Sequence, residues 1–335
     1  MIDRKEAYLW QKAGNNEVDC ELCNFNCHIA PEGIGRCRVR KNHDGTLYSL
    51  NYNMLCAAAV DPIEKKPLYH FMPGTKSYSI AAPGCNFRCV FCQNWQISQI
   101  DCEELGRCAK TSSENIVKTA IKSGCSSISY TYSEPTIFME TAADAATEAK
   151  KAGLKNIFVS NGYMSKKAID FAADWLDAIN IDLKAFSQKF YKEMTDSNLE
   201  PVLNTLRYIT HNTDIHLEIT TLVIPDSNDS TKELNALTKF IADELSPQIP
   251  WHVSAFYPAH HCNKNSTDPK LVYKACDIGK ANGLKYVYTG NIGASNQTAC
   301  PSCSKTLIKR SGYSSEVFLT KPECPNCKTP IPIVL

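Results

Sequence analysis

No stretch of this sequence approaches the ~20 consecutive apolar residues that a bilayer-crossing helix requires. The N-terminus, Met1-Ile-Asp-Arg-Lys-Glu-Ala-Tyr8, has none of the apolar core of a secretion signal. These two absences argue against a helical membrane protein and a secreted one, and place the chain in the cytoplasm. Charge of one sign is also missing: 36 basic against 35 acidic side chains leave a formal net charge of +1. No global field then draws the chain to nucleic acid or an anionic membrane, so neither is expected as a partner. The one modest basic patch is Lys305, Lys309 and Arg310. Solenoid-type repeats and low-complexity tracts are absent too, which excludes array architectures.

What the chain has in excess is cysteine. Its 335 residues, 43% hydrophobic and 21% charged, suit one large α/β domain with small appendages. The 17 cysteines are an odd number in a chain without a secretion signal, which argues against a disulfide framework and for reduced thiolates as metal ligands. Eleven fall into three spaced groups: Cys20, Cys23, Cys27 and Cys37; Cys85, Cys89 and Cys92; Cys300, Cys303, Cys324 and Cys327. The scattered six, Cys56, Cys102, Cys108, Cys125, Cys262 and Cys276, read as small buried hydrophobes.

Composition divides the chain into 1–75, 76–290 and 291–335, because the ends are rich in Cys, Gly, Pro and Asn. The middle alternates strands near Ser77–Ala81, Ser127–Tyr132, Asn156–Ser160, Ala178–Asp182, Ile215–Leu222, His252–Phe256 and Lys285–Tyr288 with helical periodicities. The helices are expected at Ser113–Lys122, Phe138–Ala152, Lys166–Leu176, Leu199–His211, Thr231–Leu245 and Pro269–Ala281. Strand and helix in repeated alternation imply a parallel sheet with right-handed crossovers, either open and doubly wound or a barrel. The unusual polar residues fall after successive strands, in Pro83-Gly84-Cys85, Ser133-Glu134-Pro135, Asn161-Gly162-Tyr163, Lys184-Ala185-Phe186, Pro225–Asp229, Tyr257-Pro258 and Thr289-Gly290-Asn291. In β/α folds that rim carries the chemistry.

In Cys85-Asn-Phe-Arg-Cys89-Val-Phe-Cys92 the number three is informative. Three thiolates on a four-iron cube leave one iron open, whereas electron-transfer clusters usually take four. Pro83 and Gly84 let the backbone turn close to such a cluster, and Phe87, Phe91 and Trp95 are positioned in sequence to shield it. The competing readings are a chance group of core cysteines and a zinc site completed by a distant ligand.

At these residues the chain resembles the radical S-adenosylmethionine (SAM) superfamily. Within it, Asp61-Pro-Ile-Glu-Lys-Lys-Pro-Leu-Tyr-His-Phe71, Gly84–Trp95 and Tyr130-Thr-Tyr-Ser-Glu-Pro135 look like the AmmeMemoRadiSam-system radical SAM enzymes, relatives of the pyruvate formate-lyase activating enzymes. The resemblance implies a partial (β/α)6-type TIM barrel carrying Cys-rich N-terminal and zinc-ribbon-like C-terminal extensions. It implies a 4Fe-4S cluster on Cys85, Cys89 and Cys92, with SAM on the open iron. An external one-electron donor of flavodoxin or ferredoxin type would reduce the cluster, and partner proteins of the AmmeMemoRadiSam system are implied as well. By the same resemblance Glu134 accepts a hydrogen bond from the SAM amino group, where the residues alone also allow an acid at a helix N-terminus. Ser160, Asn161 and Gly162 contact the SAM carboxylate and ribose, Gly162 reading equally as a turn residue.

Asp182 and Lys184 alternate at a strand end and so point the same way, as a pair at the SAM or substrate pocket or as a buried structural ion pair. His252, Tyr257, His260 and His261 lie at or beyond a later strand on the expected substrate side, and Glu218, Thr220 and Asp226 extend the polar lining. Cys300-x2-Cys303 and Cys324-x2-Cys327 are two knuckles of a zinc ribbon or rubredoxin-like unit, zinc being favoured over iron. Cys20-x2-Cys23-x3-Cys27-x9-Cys37 suits zinc or an auxiliary cluster, with Gly33 and Gly35 for a tight loop and His28 and His43 as substitute ligands.

These features point to an enzyme that cleaves SAM to a 5′-deoxyadenosyl radical and abstracts hydrogen from a small-molecule or protein substrate. A glycyl-radical activase is the alternative within that chemistry, weakened by the flanking cysteine units and by the lack of a ferredoxin insert between Cys92 and Ser127. Outside it stand an iron-sulfur electron carrier or scaffold, which would not need Glu134, and a zinc-ribbon nucleic-acid adaptor, which the balanced charge disfavours.

Overall fold

The structure, a computed structural model, describes residues 5–100, 105–106 and 108–335, so that Cys102 lies outside the described residues. Its centre is an eight-stranded sheet. Strand β1 (Ala57–Pro62) runs antiparallel at one edge. β2 (Lys76–Ala81), β3 (Ser127–Tyr130), β4 (Lys155–Ser160), β5 (Ala178–Asp182), β6 (His216–Val223), β7 (Trp251–Ala255) and β8 (Val287–Gly290) follow in chain order, each parallel to the last. β1 and β8 are its two edges, so by hydrogen bonding the sheet is open.

The expected strands thus form within two residues of their expected bounds, and β1 is an addition. Its Ala57-Ala58-Ala59 run is exposed and carries little β-propensity; pairing with β2 overrides that preference at an edge where Pro62 is tolerated.

Period-2 alternation gives the sheet two unlike faces. Laterally paired residues share a face, so the register aligns Ile80, Tyr130 and Phe158 on one side, where the helices pack. The opposite face carries Ser79 and Ser129, then Asn180 beside Glu218, Asp182 beside Thr220, and Thr220 beside His252. That second face is buried yet polar, and some of its groups pair with one another, as Ser77 Oγ does with Ser129 Oγ at 2.6 Å, while Ser79 Oγ and Thr220 Oγ1 have no partner.

Among the described residues, six helices of eight residues or more connect the strands: α1 (Ser113–Lys122), α2 (Met139–Lys151), α3 (Lys166–Ala173), α4 (Leu199–Asn212), α5 (Thr231–Lys239) and α6 (Pro269–Ala281). Their starts are written in side chains. Ser112 accepts from Asn115 N, Ser165 from Ala168 N, Ser230 from Glu233 N, and Asp268 from Lys270 N ahead of a Pro in the first turn. The expected helix 231–245 changes at Phe240 into a wider π-helical turn that runs to Leu245. Because each crossover advances the sheet in the same direction, right-handed connections put all the helices on one face and leave the polar face to be enclosed otherwise.

Two small units flank the sheet. N-terminally, the three-stranded sheets Lys5–Glu6/Thr46–Ser49/Arg40–His43 and Trp10–Gly14/Glu17–Cys20/His28–Ile29 share one core with the large sheet through Val18, Leu22, Ile29, Val39 and Leu47. A buried Arg40–Glu140 ion pair ties this unit to α2. C-terminally, Asn296–Ala299, Thr306–Ser311 and Ser314–Val317 form an antiparallel ribbon with a core of its own around Leu307, Ile308 and Ile331. Arg310 fastens it, donating to Tyr69 O at 2.6 Å and Thr298 Oγ1 at 2.9 Å while lying over the Tyr69 ring.

Candidate cofactor and catalytic site

A cavity of about 550 Å3 opens at the C-terminal ends of the parallel strands, and Cys85, Cys89, Cys92, Glu134, Ser160, Asn161, Asp182 and Lys184 all line it. They arrive from four successive strand ends, which is what a parallel sheet does with the residues following its strands.

The loop after β2 is held by its own backbone and its neighbours. Arg88 N donates to Thr195 O at 3.0 Å, Val90 N to Met194 O at 3.0 Å, and His261 N to Val90 O at 2.9 Å. Arg88 Nη1 closes the turn onto Cys85 O at 2.8 Å. Gly84 is obligatory here: φ is +102°, and a Cβ would stand 2.8 Å from Val39 Cγ1 and 3.1 Å from Cys37 O. Phe87 and Phe91 are buried around the loop, whereas Trp95 is 42% exposed and stacks on His260, so it does not shield the thiols.

Burial pushes the Cys85 thiol well up, with Glu134 and the other two thiols adding to it. It pushes Cys89 up to about 12, against the pull of Lys184. Such thiols ionise when a metal replaces their protons. Their sulfurs do not converge to the spacing of ligands around one ion, since among the described residues only the C-terminal four meet that condition. Three inward thiols, spread apart at the wall of a large cavity, fit three corners of a cuboidal cluster with its fourth side open.

Glu134 is buried and fully engaged in the fold. Oε1 accepts from Ser160 Oγ at 2.8 Å and Thr136 N at 3.0 Å, capping the turn Pro135–Phe138, and Oε2 accepts from Asn161 N at 2.8 Å. Burial raises its carboxyl above the usual range, and these donors hold it down. Oε2 keeps acceptor capacity toward the cavity. Asn161 Nδ2 donates to Asn86 Oδ1 at 2.8 Å and sits 3.9 Å from Cys85 Sγ. Gly162 is a turn residue with φ +72°, and a Cβ there would meet Ile181 Cγ2 at 2.7 Å.

Asp182 and Lys184 pair at 2.7 Å on the cavity wall. Burial opposes the charge on Lys184, but Asp182 and Cys89 hold it protonated, so the ammonium stands beside a thiol-bearing loop. Thr220 also faces the cavity, and its Oγ1 has no partner.

Other expected residues lie elsewhere. Glu218 is a buried hub, accepting from Tyr69 N, His70 N, His216 Nε2 and, at 2.6 Å, His252 Nε2; burial raises its carboxyl, but the two imidazoles hold it far below the usual range. His252 lines a smaller adjoining pocket of about 240 Å3. Tyr257 is an exposed residue bonded to Asn291 O at 2.6 Å; His260 and His261 stack at 3.8 Å outside the cavity lining, as does Asp226. The rings of His28 and His43 pair with Asp19 at 2.7 Å and Glu32 at 2.6 Å on the surface. Of the scattered cysteines, Cys125, Cys262 and Cys276 are buried, while Cys56 and Cys108 are only partly so.

The cavity also holds residues that periodicity did not single out. Lys66 is buried, donates to Asp61 at 2.6 Å, and burial brings its ammonium down to about 8 against the pull of Asp61. Tyr132, whose hydroxyl reaches the same Asp61, stands at φ +66°, a left-handed backbone that costs a non-glycine residue about 1–2 kcal/mol. The Asp61-x3-Lys65-Lys66 spacing was the available signal. Tyr313, from the C-terminal ribbon, and Asn291 complete the opposite wall.

In the C-terminal ribbon the four Sγ atoms lie within 4.8 Å of one another, with Cys300–Cys327 at 3.5 Å and Cys303–Cys324 at 3.6 Å. This is a site able to bind a metal ion.

Comparison with known proteins agrees with this geometry. A family profile described as the radical SAM superfamily matches residues 79–237. An uncharacterized protein of Methanocaldococcus jannaschii is 38% identical over 327 residues, covering 97% of both chains. A second protein of that organism, named as a candidate glycyl-radical enzyme activating enzyme, is 25% identical over 61% of this chain and 75% of its own. Among solved structures, a radical SAM methyltransferase from Sphaerobacter thermophilus superposes with a TM-score of 0.51 at 12% identity, over 65% of this chain and 67% of that one, a likeness of fold.

Proposed function

Because the chain belongs to the radical SAM superfamily, we propose that it is an enzyme that cleaves SAM at a cluster on Cys85, Cys89 and Cys92 and uses the product to take a hydrogen atom from a small-molecule or protein substrate. The observation that carries this reading is the meeting of three unpaired thiols with Glu134, Asn161 and the Asp182–Lys184 pair in one cavity. When bound, the cluster and SAM together supply one-electron cleavage of the sulfonium to methionine and a 5′-deoxyadenosyl radical.

The chain's own residues supply the rest. Oε2 of Glu134 is placed to take a hydrogen bond from the SAM amino group, and Ser160 and Asn161 hold that carboxylate in one orientation. Lys184 offsets negative charge at the Cys89 side. Phe87 and Phe91 keep water from the loop. The polar face of the sheet lines the cavity, and a sheet that advances in one direction with helices on its outer side encloses that face by curling, which is the partial-barrel form of the fold.

We read the three compositional segments as units of one enzyme, the middle one catalytic and the last a structural zinc ribbon, whose sulfur spacing suits a single tetrahedral ion. The AmmeMemoRadiSam reading, with its partner proteins and an external flavodoxin- or ferredoxin-type donor, is favoured over a glycyl-radical activase because the ribbon helps to wall the cavity, Tyr313 lining it. The reduced thiol inventory suits the cytoplasm. Among the described residues no helix is long and apolar enough to cross a membrane.

The test is anaerobic reconstitution followed by a dithionite-driven assay for 5′-deoxyadenosine. Wild type is expected to form it and Cys89→Ala to form none; product from the variant would overturn the mechanism.

A further inference from the structure

Behind the Cys85 loop, on the side away from the cavity, sits the N-terminal set of thiols. Cys20 N donates to Cys27 O at 2.9 Å and Asn26 N to Cys23 O at 3.0 Å, which fold the first three cysteines into one turn. Gly33 N to Ala30 O at 2.8 Å and Gly35 N to Arg40 O at 2.7 Å fold the chain into tight turns before and around Cys37. Cys20, Cys23 and Cys37 are buried, and the four thiols are neighbours within this unit, close enough to feel one another's charge.

The spacing of the thiols separates two cofactors. Zinc at about 2.3 Å from each sulfur places the sulfurs about 3.8 Å apart, and the ribbon cysteines already have that spacing, at 3.5 and 3.6 Å. No three of the N-terminal sulfurs converge within 4.8 Å. The ribbon thiols thus meet the spacing of ligands around a single ion, and neither the N-terminal set nor Cys85, Cys89 and Cys92 does.

Two buried side chains beside the N-terminal set each leave one donor without an acceptor. Asn86 is fully buried beside the Cys23 thiol, and its Nδ2 has no partner. Arg40 is 1% exposed, with Nη1 3.7 Å from Cys20 Sγ and Nε unpartnered. A buried donor left unpaired costs about 1–3 kcal/mol, and the bridging sulfides of a cluster add acceptors that four thiolates around zinc do not.

We propose that Cys20, Cys23, Cys27 and Cys37 hold a second iron-sulfur cluster, not zinc, joined through Asn86 to the Cys85 loop. The inference rests on the proposed function only for what that neighbouring loop holds. Asn86 is the link because it follows Cys85, touches its sulfur at 3.8 Å, and turns its amide toward Cys23. Gly84, packed on Cys37 O, keeps the two segments in contact.

The experiment uses the full chain carrying Cys85→Ala, Cys89→Ala and Cys92→Ala, reconstituted anaerobically, with iron, acid-labile sulfide and zinc measured per chain. The expected result is iron and sulfide in about equal amounts, roughly two or four of each, lost together when Cys23→Ser is added. Zinc in place of iron, or neither metal with the fold intact by circular dichroism, overturns the proposal. Asn86→Leu in the same triple background leaves every N-terminal cysteine in place and is expected to lower the cluster's midpoint potential by removing a hydrogen bond to sulfur; an unchanged potential would break the link to the Cys85 loop. A wild type whose EPR spectrum ignores SAM, beside a triple variant that keeps its iron and sulfide, would sink the proposed function and leave this inference standing.

Discussion

Acidification is expected to loosen the seat of the C-terminal ribbon through His70. Its imidazole is buried between Tyr288 Oη at 2.7 Å and Pro332 O at 3.0 Å, and its carbonyl accepts from Val334 N at 2.9 Å. Burial brings it down to about 4, with Glu218 opposing. The unfolded chain therefore binds a proton to this ring at higher pH than the folded one. Stability from this group is complete above the unfolded value of about 6.5 and falls as pH drops from there toward about 4. Between pH 7 and 5 the loss is about 2 kcal/mol. The assay is denaturant unfolding of wild type and His70→Phe at both pH values, followed by tryptophan fluorescence. The variant is less stable throughout, but its loss on acidification is smaller than wild type's by about 2 kcal/mol. Proton-driven metal release is common to both proteins and cancels in that difference. Equal losses in the two proteins would refute the reasoning.

Three further outcomes follow from the site. Glu134→Gln, which turns Oε2 or its replacement amide against the Asn161 N–H, should weaken SAM binding about 10- to 100-fold, the worth of one charge-assisted hydrogen bond; calorimetry on the reconstituted protein reads it. Gly162→Ala combines a left-handed backbone with a Cβ 2.7 Å from Ile181, and should cost about 2–5 kcal/mol in unfolding free energy, with much less cost if Ile181→Ala is added. Cys303→Ala should release zinc and lower the melting temperature while 5′-deoxyadenosine formation persists; loss of cluster reduction in a normally folded variant would instead make the ribbon an electron relay.

The parallel sheet and its order of helices were legible because hydrophobic period and capping agree, as at Ser112, Ser165 and Ser230. The rim residues were legible because a strand's C-terminal end is a position in the sequence as well as in space. The strand β1 was not, since three consecutive alanines carry no strand signal and only pairing with β2 makes them one. Glu218 was misplaced for a related reason. It sits on the polar face like Asp182, but it lies two positions earlier in its strand than Thr220 and so falls deeper, under the mouth of the cavity, where His216, His252 and two backbone amides consume it. Alternation gives the face of a side chain; depth along the strand needs the register of its neighbours.

Register also explains why the two terminal units belong to the site. A sheet wound in one direction leaves its polar face and its first strand edge uncovered, and each exposed polar strand group there would need a partner. β1 covers the edge, the N-terminal thiol unit backs the Cys85 loop through Gly84 and Asn86, and the ribbon brings Tyr313 to the far wall. Removing either unit should therefore disturb the cavity and not merely trim the surface. For the ribbon the route is specific: Arg310 and His70 are buried polar anchors, and His70 is neutral only above its depressed titration. Arg310→Met should reproduce at pH 7 the loosening that acid produces through His70, and a ribbon that stays seated in both conditions, by protease resistance of the 296–317 segment, would mean that its apolar core alone holds it in place.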